Sequence, residues 1–166
     1  MMHKFKITLT LFCLFLLITS GFCQSSTTVS NNEKVVIQEK VASFFTAMYQ
    51  NDSSTLQQLF DRKARLLTLL SQGDVASLIE VPISEFIAEV GEPKTDRWLE
   101  VIWSYTIEVE GELASVWCPY TFFLETDGVK QMMHCGVNSF ELYRGPIGWQ
   151  ITQITDIRST GNCREK

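Results

Sequence analysis

The 166-residue sequence is short of the groups on which several common functions depend. It has two histidines, His3 and His134, and no close spacing of His, Cys and Asp, so an ordinary zinc site lacks ligands; neither metal nor cofactor is expected. It has no basic run. Its 14 Lys and Arg stand against 19 Asp and Glu, a formal net charge of −5, which argues against nucleic acid, whose phosphates need a positive face. No apolar run reaches the roughly 18–20 residues that cross a bilayer, so no stable membrane anchor is expected. There is no G-x-S-x-G elbow for a nucleophilic serine, and residues 145–148 (GPIG) form a turn rather than a phosphate-cradling loop. What the chain does have is 45% hydrophobic and 11% aromatic residues, the composition of one packed domain.

Part of that apolar content reads as an address. Lys4 and Lys6 precede the twelve-residue stretch Ile7–Ile18, which only Thr8 and Thr10 interrupt, and small residues follow. This is the order of a secretory signal peptide over residues 1–23, cut between Cys23 and Gln24. A lipoprotein acylated at Cys23 is the rival reading, disfavoured by the bulky Phe22 ahead of the cysteine. Export to the periplasm or medium removes both lysines and no acid, taking the net charge from −5 to −7 over the remaining 143 of 166 residues. Residues 24–32 (QSSTTVSNN) are polar and aperiodic, a flexible leader to a domain over 33–163.

Within the domain, Ser30 and Glu33 have capping-box spacing ahead of a helix whose apolar stripe is Ile37, Val41, Phe44, Phe45 and Met48. Asp52 or Ser53 caps a short second helix ending at Phe60, and residues 64–70 form a strand. Pro82 opens a third helix over 83–90, with Gly91 at its end. From Trp98 the period becomes two: Leu99, Val101, Trp103, Tyr105, Ile107 and Val109 alternate with Glu100, Ile102, Ser104, Thr106 and Glu108. That predicts one long strand with the first set buried. Turns at Glu110-Gly111, Asp127-Gly128 and 145–148 separate three more strands, over 113–125, 131–143 and 149–158. Helices followed by four hairpin-linked strands make an α+β fold with an antiparallel sheet.

The strings Ala114-Ser115-Val116-Trp117-Cys118-Pro119-Tyr120, His134-Cys135-Gly136, Phe140-Glu141-Leu142, Gly148-Trp149 and Thr155-Asp156-Ile157-Arg158 resemble exported bacterial members of the nuclear transport factor 2-like superfamily, which includes SnoaL-like cyclases and ketosteroid isomerases. The resemblance implies a cone: a strongly bent antiparallel sheet closed by three helices around a pocket. It implies no single activity, because members include enzymes, transport adaptors and binding proteins. The isomerases place a catalytic aspartate on the strand after the second helix, where this chain reads ARLLTLL over 64–70 and offers no acid. The related branch carries cysteines matching Cys135 and Cys163, which implies a bond between them and leaves Cys118 a buried thiol.

His134 shares a strand face with Gly136, Asn138, Phe140 and Leu142. With Phe140 and Leu142 in the core, His134 and Asn138 point to the same interior, where His134 is either an acid/base or ligand donor, or a structural histidine. Asp156 and Arg158 share a face of the last strand and either pair at the rim or hold a polar ligand; a His134–Asp156 pair is a further arrangement. Tyr120 is expected to line the pocket, since its hydroxyl needs a polar partner when buried. Three readings follow. The first is an exported binder of a small apolar or aromatic molecule, with Tyr120, Asn138 and Arg158 as ligand contacts. The second is a SnoaL-like isomerase, cyclase or hydratase in which His134 works with Asp156 or Asn138. The third is a homodimeric module pairing through the exposed sheet face.

Overall fold

The computed structural model describes residues 31–72, 75–159, 161, 163 and 164. The signal segment 1–23 and Ser30 of the capping box lie outside the described residues. Helix α1, Asn31–Gln50, begins inside the stretch expected as leader, and all five residues of its apolar stripe are buried, joined by Ala47. Asp52 caps α2, Ser53–Leu59: its carboxylate accepts from the Thr55 amide at 2.9 Å and the Thr55 hydroxyl at 2.6 Å. The third helix, α3, spans Ile83–Gly91 and buries Phe86 and Val90. One ring ties these parts together. Phe44 of α1 stacks on Phe86 at 5.9 Å and meets Phe60 and Phe140 edge-on at 5.9 and 5.4 Å.

Seven strands form one curved, unclosed sheet: β1 Phe60–Gln72, β2 Val75–Pro82, β3 Arg97–Ile102, β4 Thr106–Glu110, β5 Leu113–Thr126, β6 Val129–Gly145 and β7 Gly148–Ser159. The order is β2-β1-β7-β6-β5-β3, and β4 also pairs with β5. The architecture is α+β with the helices closing the concave side. Asp127 (φ 52°) and Gly128 (φ 78°) make the tight turn between β5 and β6.

Three features depart from the sequence reading. First, β1 runs parallel to β7, because the last strand inserts between β6 and the first strand. Second, β2 is an extra edge strand, hairpinned to β1 and braced by Arg65, whose Nε and Nη2 donate to Glu80 at 2.9 and 2.8 Å. It leaves Leu78 and Ile79 exposed, so burial did not impress an alternating pattern on it. Third, the predicted strand from Leu99 to Val109 is two strands. Ile102 faces Tyr120, while Thr106 faces Trp117, so four steps on one side meet three on the other. The break sits opposite Pro119, which has no N–H to donate; its carbonyl accepts from the Trp103 amide at 2.9 Å. The extra residue reverses the alternation, and Glu100, expected outside, faces the concave side together with Trp98.

At the C-terminal end Cys135 and Cys163 form a disulfide with Cα atoms 5.4 Å apart, and Cys118 is a buried free thiol. The bond holds the tail on the outer face of the sheet. There the Arg164 carbonyl accepts from the fully buried Thr121 hydroxyl at 3.0 Å, which in turn accepts from the Trp103 indole at 3.1 Å.

Candidate functional site

The concave face of the sheet and the helices enclose a cavity of about 340 Å³, inside the range of small-molecule sites. Its polar groups come from alternate rungs of the ladder, which share one face. Asn138 on β6 stands opposite Asp156 on β7 and Cys118 on β5; Gly136 stands opposite Arg158 and Tyr120; His134 stands opposite Phe122. Thr68 on β1 extends the first rung beside Asp156. Gly136 is the residue that permits this crossing. A Cβ there would meet the Ile157 carbonyl oxygen at 2.0 Å and the Tyr120 hydroxyl at 3.0 Å, so any side chain would push apart the strands bearing Tyr120 and Arg158.

Asp156 is 6% exposed and belongs to the cavity, not the rim. Its Oδ1 accepts from Thr68 Oγ1 at 2.5 Å, and its Oδ2 accepts from Arg158 Nε at 2.7 Å and from the Tyr120 hydroxyl at 3.4 Å. These bonds occupy both carboxylate oxygens. Asp156 is therefore the anchor of Arg158, and the structure shows no hydrogen bond between it and His134. The His134 ring instead packs against Phe122 at 4.9 Å and Tyr120 at 5.8 Å. Burial lowers its pKa, the Arg158 charge lowers it further, and Asp156 opposes only in part, so the half-buried imidazole is neutral at pH 7. Burial also pushes the Tyr120 phenol up, with the Glu100 and Asp156 charges adding to it.

The sequence reading missed Glu100. Its side chain is half-buried and lines the cavity. Burial raises its pKa to about 8, the hydrogen bond from Asn138 pulls the other way, and Asp156 raises it further against Arg158. Asn138 Nδ2 donates to Glu100 Oε2 at 2.7 Å, which gives Asn138 its role. Pro119 was the available signal: a proline within a predicted central strand marks a break in pairing, and hence a change of face for the neighbouring strand. Phe44, Met48, Phe86 and Trp98 supply the apolar wall. Of the other aromatics on the sheet, Phe122 lines the cavity, Phe140 and Trp149 are core, and Trp117 lies outside, 52% exposed. Among the described residues no group of three His, Cys, Asp or Glu side chains is placed to hold a metal ion.

No family model and no curated protein sequence matches the chain. Solved structures do. A nuclear transport factor 2-like protein with a cystatin-like fold from Novosphingobium aromaticivorans aligns over 80% of this chain and 85% of its own, at 17% identity and a TM-score of 0.63. The fold is nuclear transport factor 2-like. The same fold relates the chain to the beta subunit of a provisionally assigned aromatic-ring-hydroxylating dioxygenase from N. aromaticivorans (12% identity, 82% and 95% of the two chains, TM-score 0.66). It also relates it to a provisional dehydratase from Streptomyces avermitilis (14% identity, 74% and 93%, TM-score 0.55). At these identities the likeness is one of fold. In this nuclear transport factor 2-like cone all the polar lining groups but Glu89 of α3 stand on the sheet, and the apolar wall comes from α1, α3 and the sheet together.

Proposed function

We propose that the chain is an exported pocket protein that binds a small molecule with an apolar or aromatic body and one polar end. The observation that carries this reading is the cavity of about 340 Å³, with aromatic walls and a cluster of hydrogen-bonded polar groups on one side. Arg158, Tyr120, His134 and Glu100 are the groups available to the polar end; Asp156 and Asn138 hold Arg158 and Glu100 in place. The signal-like residues 1–23 and the Cys135–Cys163 bond support export, since such bonds persist in oxidising compartments.

Native mass spectrometry of the purified protein, followed by displacement of a bound fluorescent apolar probe, tests the binding. One small molecule or one probe per cavity is expected, and Leu66→Trp, which fills the cavity, is expected to abolish it. Unchanged probe binding in that variant would place the ligand elsewhere.

One observation favours a second reading, proton-transfer catalysis. Glu100, titrating near 8, and the neutral His134 line one cavity, so an acid and a base coexist there near neutral pH. In that reading His134 works with Glu100 rather than with Asp156. Pairing of two copies through the outer sheet face is supported by the exposed Trp117 and Ile157.

A further inference from the structure

Three carboxyl groups and one guanidinium line the cavity: Glu89 of α3, Glu100 of β3, Asp156 and Arg158 of β7. The guanidinium is committed to Asp156 at 2.7 Å. Lys94, near the mouth, rests 3.8 Å from the Trp98 ring centroid and donates to the Glu89 carbonyl at 2.9 Å. Glu100 is thus a half-buried carboxyl with no cation of its own among the described residues. Its Oε2 accepts from the Asn138 amide, an arrangement that suits a carboxylate, and its Oε1 accepts from no described residue. The rings of Phe44, Phe86, Trp98 and Phe122 line the same cavity, and aromatic π faces attract cations within about 6 Å.

We propose that the occupant of this cavity is an amine on an apolar or aromatic body, bound as its ammonium cation with Glu100 Oε1 as counter-ion and the aromatic rings around it. This rests on the binding function proposed above and names the class of ligand. An anion would meet three carboxyl groups and one arginine that Asp156 already neutralises. A neutral carbonyl compound would instead use Glu100 as a hydrogen-bond donor, and the two cases differ in sign with pH.

An ammonium needs ionised Glu100. In the free protein the carboxyl holds its proton up to about pH 8, so amine binding at pH 7.5 expels a proton to solvent, and affinity rises with pH. A carbonyl ligand needs the protonated acid and weakens as pH rises. The other groups facing Glu100 do not confuse the reading. Tyr120 and Cys118 on β5 are pushed up, His134 on β6 is lowered, and Asp156 and Arg158 on β7 remain paired. Glu89 on α3 is exposed at the mouth. Phe44 and Met48, which α1 turns to the cavity, do not titrate.

The test is isothermal titration with three probes on one frame, 3-phenylpropylamine, 3-phenylpropanol and 3-phenylpropanoate, at pH 6.5, 7.5 and 8.5 in two buffers of unlike ionisation enthalpy. The amine is expected to bind tightest, roughly tenfold or more over the alcohol at pH 8.5. Its affinity should fall by up to about tenfold per pH unit below 8, with proton release at pH 7.5. Glu100→Gln, checked for folding by circular dichroism, should bring amine and alcohol together and remove the proton release; the wild-type pH dependence stands without it. Tighter binding of the alcohol or the carboxylate overturns the amine assignment and leaves the pocket function intact. Absence of binding by all three probes at millimolar concentration, or equal binding of the amine by Leu66→Trp, overturns both.

Discussion

Glu100 and His134 put opposite slopes on stability. In the denatured chain Glu100 returns to its ordinary value of 4.5, against about 8 in the fold. Between those values the native state holds more protons than the denatured one, so stability falls as pH rises across that interval. His134 is lowered from 6.5, so below that pH the denatured chain binds the extra proton and stability falls as pH drops. Melting temperature against pH should therefore show an alkaline loss that Glu100→Gln flattens and an acid loss that His134→Gln flattens. An alkaline limb that persists in Glu100→Gln would assign it to another group. Gly136→Ala should destabilise the fold and disturb the Tyr120 hydroxyl, because its Cβ has nowhere to go between Ile157 and Tyr120; loss of probe binding alongside a lowered melting temperature is the expected pair.

At the scale of elements, periodicity was readable where one face alone is buried. The α1 stripe and the β5–β7 hairpins carry clean patterns, and Asp127-Gly128 marks its turn by residue type alone. The pattern failed where burial is weak or the ladder slips. β2 is an edge strand with exposed leucine and isoleucine, and the β3–β4 break flips the parity that an unbroken alternation of apolar residues had suggested. Because of that flip the candidate site was half legible. Tyr120, His134, Asn138, Asp156 and Arg158 all stand on faces that alternation places together, while Glu100 does not. The disulfide makes its own prediction. It spans a sequence separation of 28, and replacing both cysteines by serine should cost roughly 3–4 kcal/mol of loop-closure entropy, measured by denaturant unfolding. The denatured, unreduced chain from residue 24 onward should alkylate once, at Cys118; three alkylations would refute the bond.

Across the whole molecule, helices and sheet are joined by rings. Phe140, fully buried on β6, contacts Phe44 and Phe45 of α1 at 5.4 and 5.7 Å. Phe140→Ala should cost about 3–5 kcal/mol in denaturant unfolding and lower the melting temperature. On the outer face Trp117 and Ile157 lie two strands apart and exposed, and the proposed pairing would use them. If copies pair there, light scattering should report a dimer that Trp117→Glu converts to monomer, and a dimer unmoved by that change would put the interface elsewhere.

By itself the sequence determined the class of fold, the helical and hairpin elements and the set of residues on each regular face, because helix and strand periods are local properties of the chain. The tertiary structure decided what those faces meet. It set β7 parallel beside β1, gave Asp156 to Arg158 rather than to His134, and turned Glu100 inward by a ladder break that sits opposite a proline unable to donate. These outcomes depend on how distant strands register, and registration across a sheet is not encoded within any one strand.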